Sequence, residues 1–143
     1  MHYKFLDKPT CGKHSLTHKF RLSEHFTLGE FLHTNHGDTY LKSNYDNVTF
    51  TIVQNLTRLC LVLECIRKFL GETPVSVSSG YRSVVLNYLV NGVPNSDHLF
   101  GRAADIRVCR GSRLDKYLVD LKSLGVIRYF YWITDNSLHI SIY

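Results

Sequence analysis

No apolar run in this chain is long. The longest, such as Leu59 to Leu63 and Tyr129 to Ile133, fall far short of the roughly 18 to 20 residues that cross a bilayer, so no membrane helix is expected. The opening segment Met1-His2-Tyr3-Lys4-Phe5-Leu6-Asp7-Lys8-Pro9 has no apolar stretch after its charges. It cannot serve as the hydrophobic region of a secretory signal, and the expectation is synthesis in a cytoplasm. The four cysteines, Cys11, Cys60, Cys65 and Cys109, lack C-x-x-C spacing, which argues against a thiolate zinc site or a disulfide framework. They are expected to be reduced and mostly buried. Internal repeats and low-complexity tracts are absent as well.

What is present suits one folded domain. A chain of 143 residues buries about two thirds of its unfolded surface around a single core. Hydrophobic content of 44% beside 20% charged residues lies in the ordinary range for globular chains, away from the compositions that stay disordered. A formal net charge of +5 favours polyanionic neighbours, either nucleic acid or a bacterial wall carrying phosphate and carboxylate groups.

Residues 1–22 are basic and aperiodic, and read as an extended arm ahead of a domain over 23–143. Thr27-Leu28-Gly29-Glu30 has the form of a capping box, with Phe26 as its staple, so a short helix is predicted from Leu28 to about His33, followed by some twelve residues of loop. From about Val48 the apolar positions Ile52, Leu56, Leu59, Leu63, Ile66 and Leu70 draw one helical stripe that Gly71 ends. Val75 to Ser79 alternates like a half-buried strand. Ser83 can cap a helix carrying Val84, Val85, Leu86, Leu89 and Val90. Ala103 to Val108 is strand-like, Ser112 to Gly125 bounds another helix, and Val126 to Thr134 with Leu138 to Ile142 forms a hairpin across Asp135-Asn136-Ser137. The predicted class is α+β, an antiparallel sheet with helices packed on one face.

Successive strand residues face opposite sides of a sheet. If Leu138, Ile140 and Ile142 pack inward, then His139, Ser141 and Tyr143 project from the other, open face. By the same rule Ala104, Ile106 and Val108 pack inward, while Ala103, Asp105 and Arg107 share the open side with His139. His98 stands before Asp105 with six residues intervening, and Gly101 among them permits a tight reversal that folds the imidazole back beside the carboxylate. Two imidazoles and one carboxylate are a ligand set that catalytic zinc accepts, leaving its fourth position to water. The plainer alternative is that these are separate hydrogen-bonded or solvated side chains.

The run Ser96-x-His98-x-x-Gly101-x-Ala103-x-Asp105, preceded by Ser78-Ser79-Gly80-Tyr81-Arg82-Ser83 and followed by His139-Ile140-Ser141, resembles the zinc D-alanyl-D-alanine carboxypeptidase family, relatives of the Hedgehog-type peptidase fold. Leu22 to Phe31 is similar to the segment leading into the small phage-type members, so the resemblance covers roughly residues 20–143. It implies a Hedgehog/DD-peptidase-like fold and one zinc ion held by His98, Asp105 and His139. It further implies a metallopeptidase cleaving D-amino-acid-containing bonds in peptidoglycan stem peptides by attack of a metal-activated water. Arg82 matches the family's arginine beside the site, which steadies the substrate's carbonyl oxygen or carboxylate. Ser96 would orient a ligand or contact substrate. The implied setting is the bacterial cell wall, with a phage-encoded origin among the possibilities.

One position departs from the family pattern. The glutamate that many members carry three residues before the last ligand, as general base, is here Asn136, which cannot take a proton. Asp135, one residue earlier, is the candidate replacement, with Asp97 a weaker one. That gap keeps a catalytically inactive zinc fold in view. The positive charge and the run Arg128-Tyr129-Phe130-Tyr131-Trp132 keep nucleic-acid binding as a further alternative, although core packing explains these aromatics more simply. Six of the eight histidines crowd into the first 36 residues, His33-x-x-His36 and His14-x-x-x-His18 among them. They are read as exposed polar side chains.

Overall fold

The computed structural model describes residues 18–143. Most of the predicted arm, with Cys11, His2 and His14, lies outside the described residues. Its last residues lie against the start of the first helix: Leu28 donates its backbone N–H to Phe20 (2.8 Å), Gly29 donates to His18 (3.0 Å), and Leu22 is buried.

Three helices open the fold: α1 (Leu28–Leu32), α2 (Asp38–Asn47) and α3 (Phe50–Phe69). The capping box of α1 is formed, with the Glu30 carboxylate reaching back to the Thr27 N–H at 2.6 Å. Helix α3 carries the predicted stripe. Leu56, Leu59, Cys60, Leu63 and Ile66 are fully buried, and each large aliphatic side chain among them contributes about 1.5–3 kcal/mol on leaving water. Thr49 caps the helix by accepting from Ile52 N–H, and Leu70, with Gly71 beyond it at φ +76°, ends it.

Helix α2 stands where the sequence reads as loop. Only Asn44 and Tyr45 of it are buried, so no apolar stripe announces it. A polar group does the anchoring instead. The Asn44 side chain donates to the Leu32 carbonyl and accepts from the Ser83 N–H, both at 2.9 Å. These bonds tie α2 to the end of α1 and to the chain just past Arg82.

The remaining elements are β1 (Ser76–Ser79), α4 (Val84–Leu89), a 3₁₀ turn (Asp97–Phe100), β2 (Ala103–Arg107), α5 (Ser112–Ser123), β3 (Tyr129–Thr134) and β4 (Ser137–Ser141). The four strands form one antiparallel sheet in the order β1-β2-β4-β3, so the fold is α+β as expected. Ala104, Ile106, Leu138 and Ile140 are fully buried in the hydrophobic core, as the alternation predicts.

The opposite face is open at its margins, where Arg107 and Tyr143 are exposed, but not at its centre. Asp105, His139 and Ser141 are 8%, 5% and 0% exposed, because the 3₁₀ turn and the Arg82 segment fold over it. The cysteines also differ from expectation. Cys60 is buried in the core side of α3, but Cys65 and Cys109 are exposed, Cys65 falling off the buried stripe and Cys109 lying just past the end of β2. No single helix among the described residues is long and apolar enough to cross a membrane.

Candidate metal centre

The register places Asp105 on β2 directly opposite His139 on β4, and antiparallel partners bring their side chains together on one face. The Nδ1 atom of His139 lies 2.7 Å from Asp105 Oδ1. His98 arrives from the 3₁₀ turn, its Nε2 3.5 Å from the same oxygen. Ligand-capable atoms of the three residues all lie within 4.8 Å of one another, the one such group among the described residues.

Two glycines let His98 reach that place. Gly101 ends the turn at φ +70°, and a Cβ there would sit 2.8 Å from the Ile52 carbonyl oxygen of α3. Only glycine supplies both the left-handed backbone and the close approach. Gly80 packs so tightly on α1 that a Cβ would lie 2.6 Å from the Phe31 oxygen. Its own carbonyl accepts from His98 Nδ1 at 2.6 Å. A carbonyl accepts only, so Nδ1 of His98 carries a proton, and its Nε2 faces the cluster. That is the outer support found behind imidazole ligands of metals. Burial by itself raises the pKa of Asp105, but hydrogen bonds from His139 and His98 and their positive charge outweigh it and hold the carboxyl well below the usual carboxylate range. A compact, buried His-Asp-His set with one imidazole already oriented suits the nitrogen and oxygen preferences of zinc, with a fourth position left for solvent or substrate.

Arg82 is braced from three sides. Its Nε donates to Ser79 Oγ (3.2 Å), its Nη1 to Asn87 Oδ1 (3.3 Å), and its Nη2 lies 3.7 Å from Asp105 Oδ2. Burial lowers the guanidinium's pKa, while Asp105 and Tyr131 push in the other direction. Asn87, itself buried, also donates to the Val93 carbonyl at 3.0 Å and so joins the arginine to the rim. Ser96 caps the 3₁₀ turn, accepting from His98 N–H at 3.2 Å.

His98, Asp105, His139, Arg82 and Ser96 line a cleft of about 340 Å³ that also touches Asp97, Arg128, Tyr129 and Tyr131. A larger cavity of about 580 Å³ lies beside Leu41, Tyr45 and Val77 and includes none of the three clustered residues. The chemistry therefore concentrates in the smaller one.

Asp135 is not brought to the cluster. It sits exposed on the β3–β4 turn, four residues along the strand from His139, or roughly 13 Å at the strand rise, and it is not among the cleft residues. The turn stands at the end of the hairpin beyond His139, so the structure does not place the expected general base beside the three clustered residues. Two residues went unread as site components. Tyr131 lies directly opposite His139 and stacks on its ring at 4.5 Å, and Tyr129 stacks on the same ring at 5.5 Å. The signal was the strand alternation itself: Phe130 and Trp132 pack against the core, which leaves the two tyrosines on the face of His139.

The Peptidase M15 family model matches residues 24–141. The chain is also similar to a zinc D-Ala-D-Ala carboxypeptidase of Streptomyces albus G, 43% identical over 44 residues. That alignment covers 31% of this chain and 17% of the relative, so the chain spans less than a fifth of that protein's length. With the match running from the α1 approach through β4, the chain belongs to the peptidase M15 family.

Proposed function

We propose that the chain is a zinc peptidase that cleaves a D-amino-acid-containing bond in peptidoglycan stem peptides. The observation that carries this reading is the buried convergence of His98, Asp105 and His139 beneath a cleft. Zinc held by these three would supply a Lewis acid for the scissile carbonyl and lower the pKa of water.

The chain's own groups supply the rest. Arg82, immobilised by Ser79 and Asn87, keeps its Nη2 for charge developing on the substrate's carbonyl oxygen or for a peptide carboxylate, at little cost of reorganisation. Tyr129 and Tyr131 form a stacked aromatic wall against which a peptide excludes water. Arg128, 5.4 Å over the Tyr129 ring, adds positive charge at the rim. Ser96 holds the turn that presents His98 and borders the cleft.

A second reading is a member that holds zinc without hydrolysis, favoured by Asn136 at the usual glutamate position and by the remoteness of Asp135. One experiment separates them: zinc analysis together with mass spectrometry of peptidoglycan fragments after incubation. Release of a single terminal D-alanine marks a carboxypeptidase, and release of a larger peptide marks an endopeptidase. Stoichiometric zinc with no released fragment leaves the second reading standing, and absence of bound zinc defeats both.

A further inference from the structure

His33 and His36 are exposed, as expected, yet both border a pocket that the metal cleft does not include. The loop after α1 forms one wall of this pocket, and the end of β1 with Arg82 forms another. Arg82 lines the metal cleft as well, so the two spaces adjoin at this residue. The pocket holds about 190 Å³, the share of roughly six waters in the liquid. That is room for one side chain or chain end, and too little for a strand.

Counting hydrogens shows what the pocket offers. Thr34 Oγ1 accepts from the His36 backbone N–H at 3.2 Å, and Ser79 Oγ accepts from Arg82 Nε at 3.2 Å. Both partners can only donate, so each hydroxyl keeps its own hydrogen for another acceptor. Asn35 Oδ1 lies 3.0 Å from His33 Nε2. An amide oxygen only accepts, so the imidazole donates and the two Nδ2 hydrogens of Asn35 are left over. None of these hydrogens meets an acceptor among the described residues. No acidic side chain lines the pocket, and Arg82 gives it a fixed positive charge. Asp105, 3.7 Å from Arg82 Nη2, lines the metal cleft instead. Spare donors beside a cation, with no carboxylate of the protein's own, complement an anion that accepts several hydrogen bonds. In a peptide that group is a carboxylate.

We propose that this pocket is a subsite for a free carboxylate of the bound peptide, and that Thr34, Asn35 and Ser79 set a preference for carboxylate over carboxamide there. The proposal deepens the peptidase reading and rests on it. A carboxamide in the same place forgoes the charge-assisted bonds and turns its own N–H hydrogens against those of Asn35. The carboxylate can be the peptide's C-terminus or one carried by a side chain within it, since the chemistry is shared.

The test uses the zinc-loaded chain and three stem peptides: one with every carboxylate free, one amidated at its C-terminus and one amidated at an internal side-chain carboxylate. Zinc-dependent cleavage of the first checks the peptidase reading. Affinity is read as KM where a peptide is cleaved and as Kd by calorimetry where it is not, so failed hydrolysis refutes that reading while the subsite is still measured. One of the two amidations is expected to weaken affinity roughly 10- to 100-fold, the equivalent of one hydrogen bond to a charged group, and the one that does so identifies the source. Asn35→Ala and Thr34→Val are expected to shrink that ratio several-fold. Asn35→Asp is expected to reverse it, because a carboxylate in the wall repels one in the pocket. Asn35 is exposed on a loop, and a damaged fold would lower affinity for free and amidated peptides alike, so the ratio separates recognition from folding. Equal affinity for free and amidated peptides in wild type, no binding of any of the three, or a wild-type ratio in Asn35→Asp overturns the proposal.

Discussion

The two faces of the β2–β4 pair are both buried at their centres, but for opposite reasons. On one, Ala104, Ile106, Leu138 and Ile140 lose all contact with water against the helices. On the other, Asp105, His139 and Ser141 lose nearly as much, yet bring polar groups that must be satisfied by partners or cost several kcal/mol. The apolar face therefore stabilises the fold, while the polar face uses that stability to hold a site. Neighbouring residues on one strand serve different ends.

Leu138 and His139 offer the sharpest way to break this comparison. His139→Ala is expected to lower zinc affinity by about three orders of magnitude or more, through loss of one ligand in three, and to leave the metal-free protein folded. Zinc titration monitored by calorimetry, together with circular dichroism, measures both. Leu138→Ala is expected to destabilise the protein by about 2–5 kcal/mol through the cavity it opens, with stoichiometric zinc binding retained at temperatures where it is folded. Denaturant unfolding without metal reads that cost. If both variants lose the same property to the same degree, the two faces do not divide the work.

The rim extends the comparison to a smaller effect. Tyr131 is 51% exposed and stacks on His139 without facing the core. Tyr131→Ala is expected to raise KM for a stem peptide several-fold while changing denaturant stability by less than about 1 kcal/mol. Steady-state kinetics on a defined peptide measure the first, and an unchanged KM removes the aromatic wall from substrate binding.

An effect away from the site concerns Tyr81, which joins β1 to the Arg82 segment and is buried, so that its phenol is pushed up to about 12. The folded state then keeps its proton after the unfolded chain has lost it. Its contribution is intact below about pH 10, the unperturbed value. Stability is expected to fall as pH rises from there towards 12, by about 1.4 kcal/mol per unit. Tyr81→Phe is expected to flatten that part of the curve, as read from denaturant midpoints across alkaline pH. An equal alkaline decline in the variant places the titration elsewhere.

Much of this arrangement was legible residue by residue. The α3 stripe from Leu56 to Ile66, the capping box at Thr27 and Glu30, and the inward sets Ala104/Ile106 and Leu138/Ile140 all follow from local periodicity. Helix α2 was not legible, because Asn44 anchors it through two hydrogen bonds to residues 12 and 39 positions away. Asp135 misled for a related reason: proximity to His139 in sequence suggested proximity in space, but an extended strand carries neighbours apart at about 3.3 Å per residue.

By itself the sequence determined which side chains share a sheet face, since strand alternation is a property of the backbone at each residue. It also carried the ordered motif around His98, Asp105 and His139. Tertiary structure alone decided that this face closes into a cleft, that Tyr129 and Tyr131 wall it, and that Asp97 meets Ser141 behind His139. Those contacts depend on strand register and on the seating of the 3₁₀ turn against α3. Both are set by interactions between segments tens of residues apart, which no local pattern encodes.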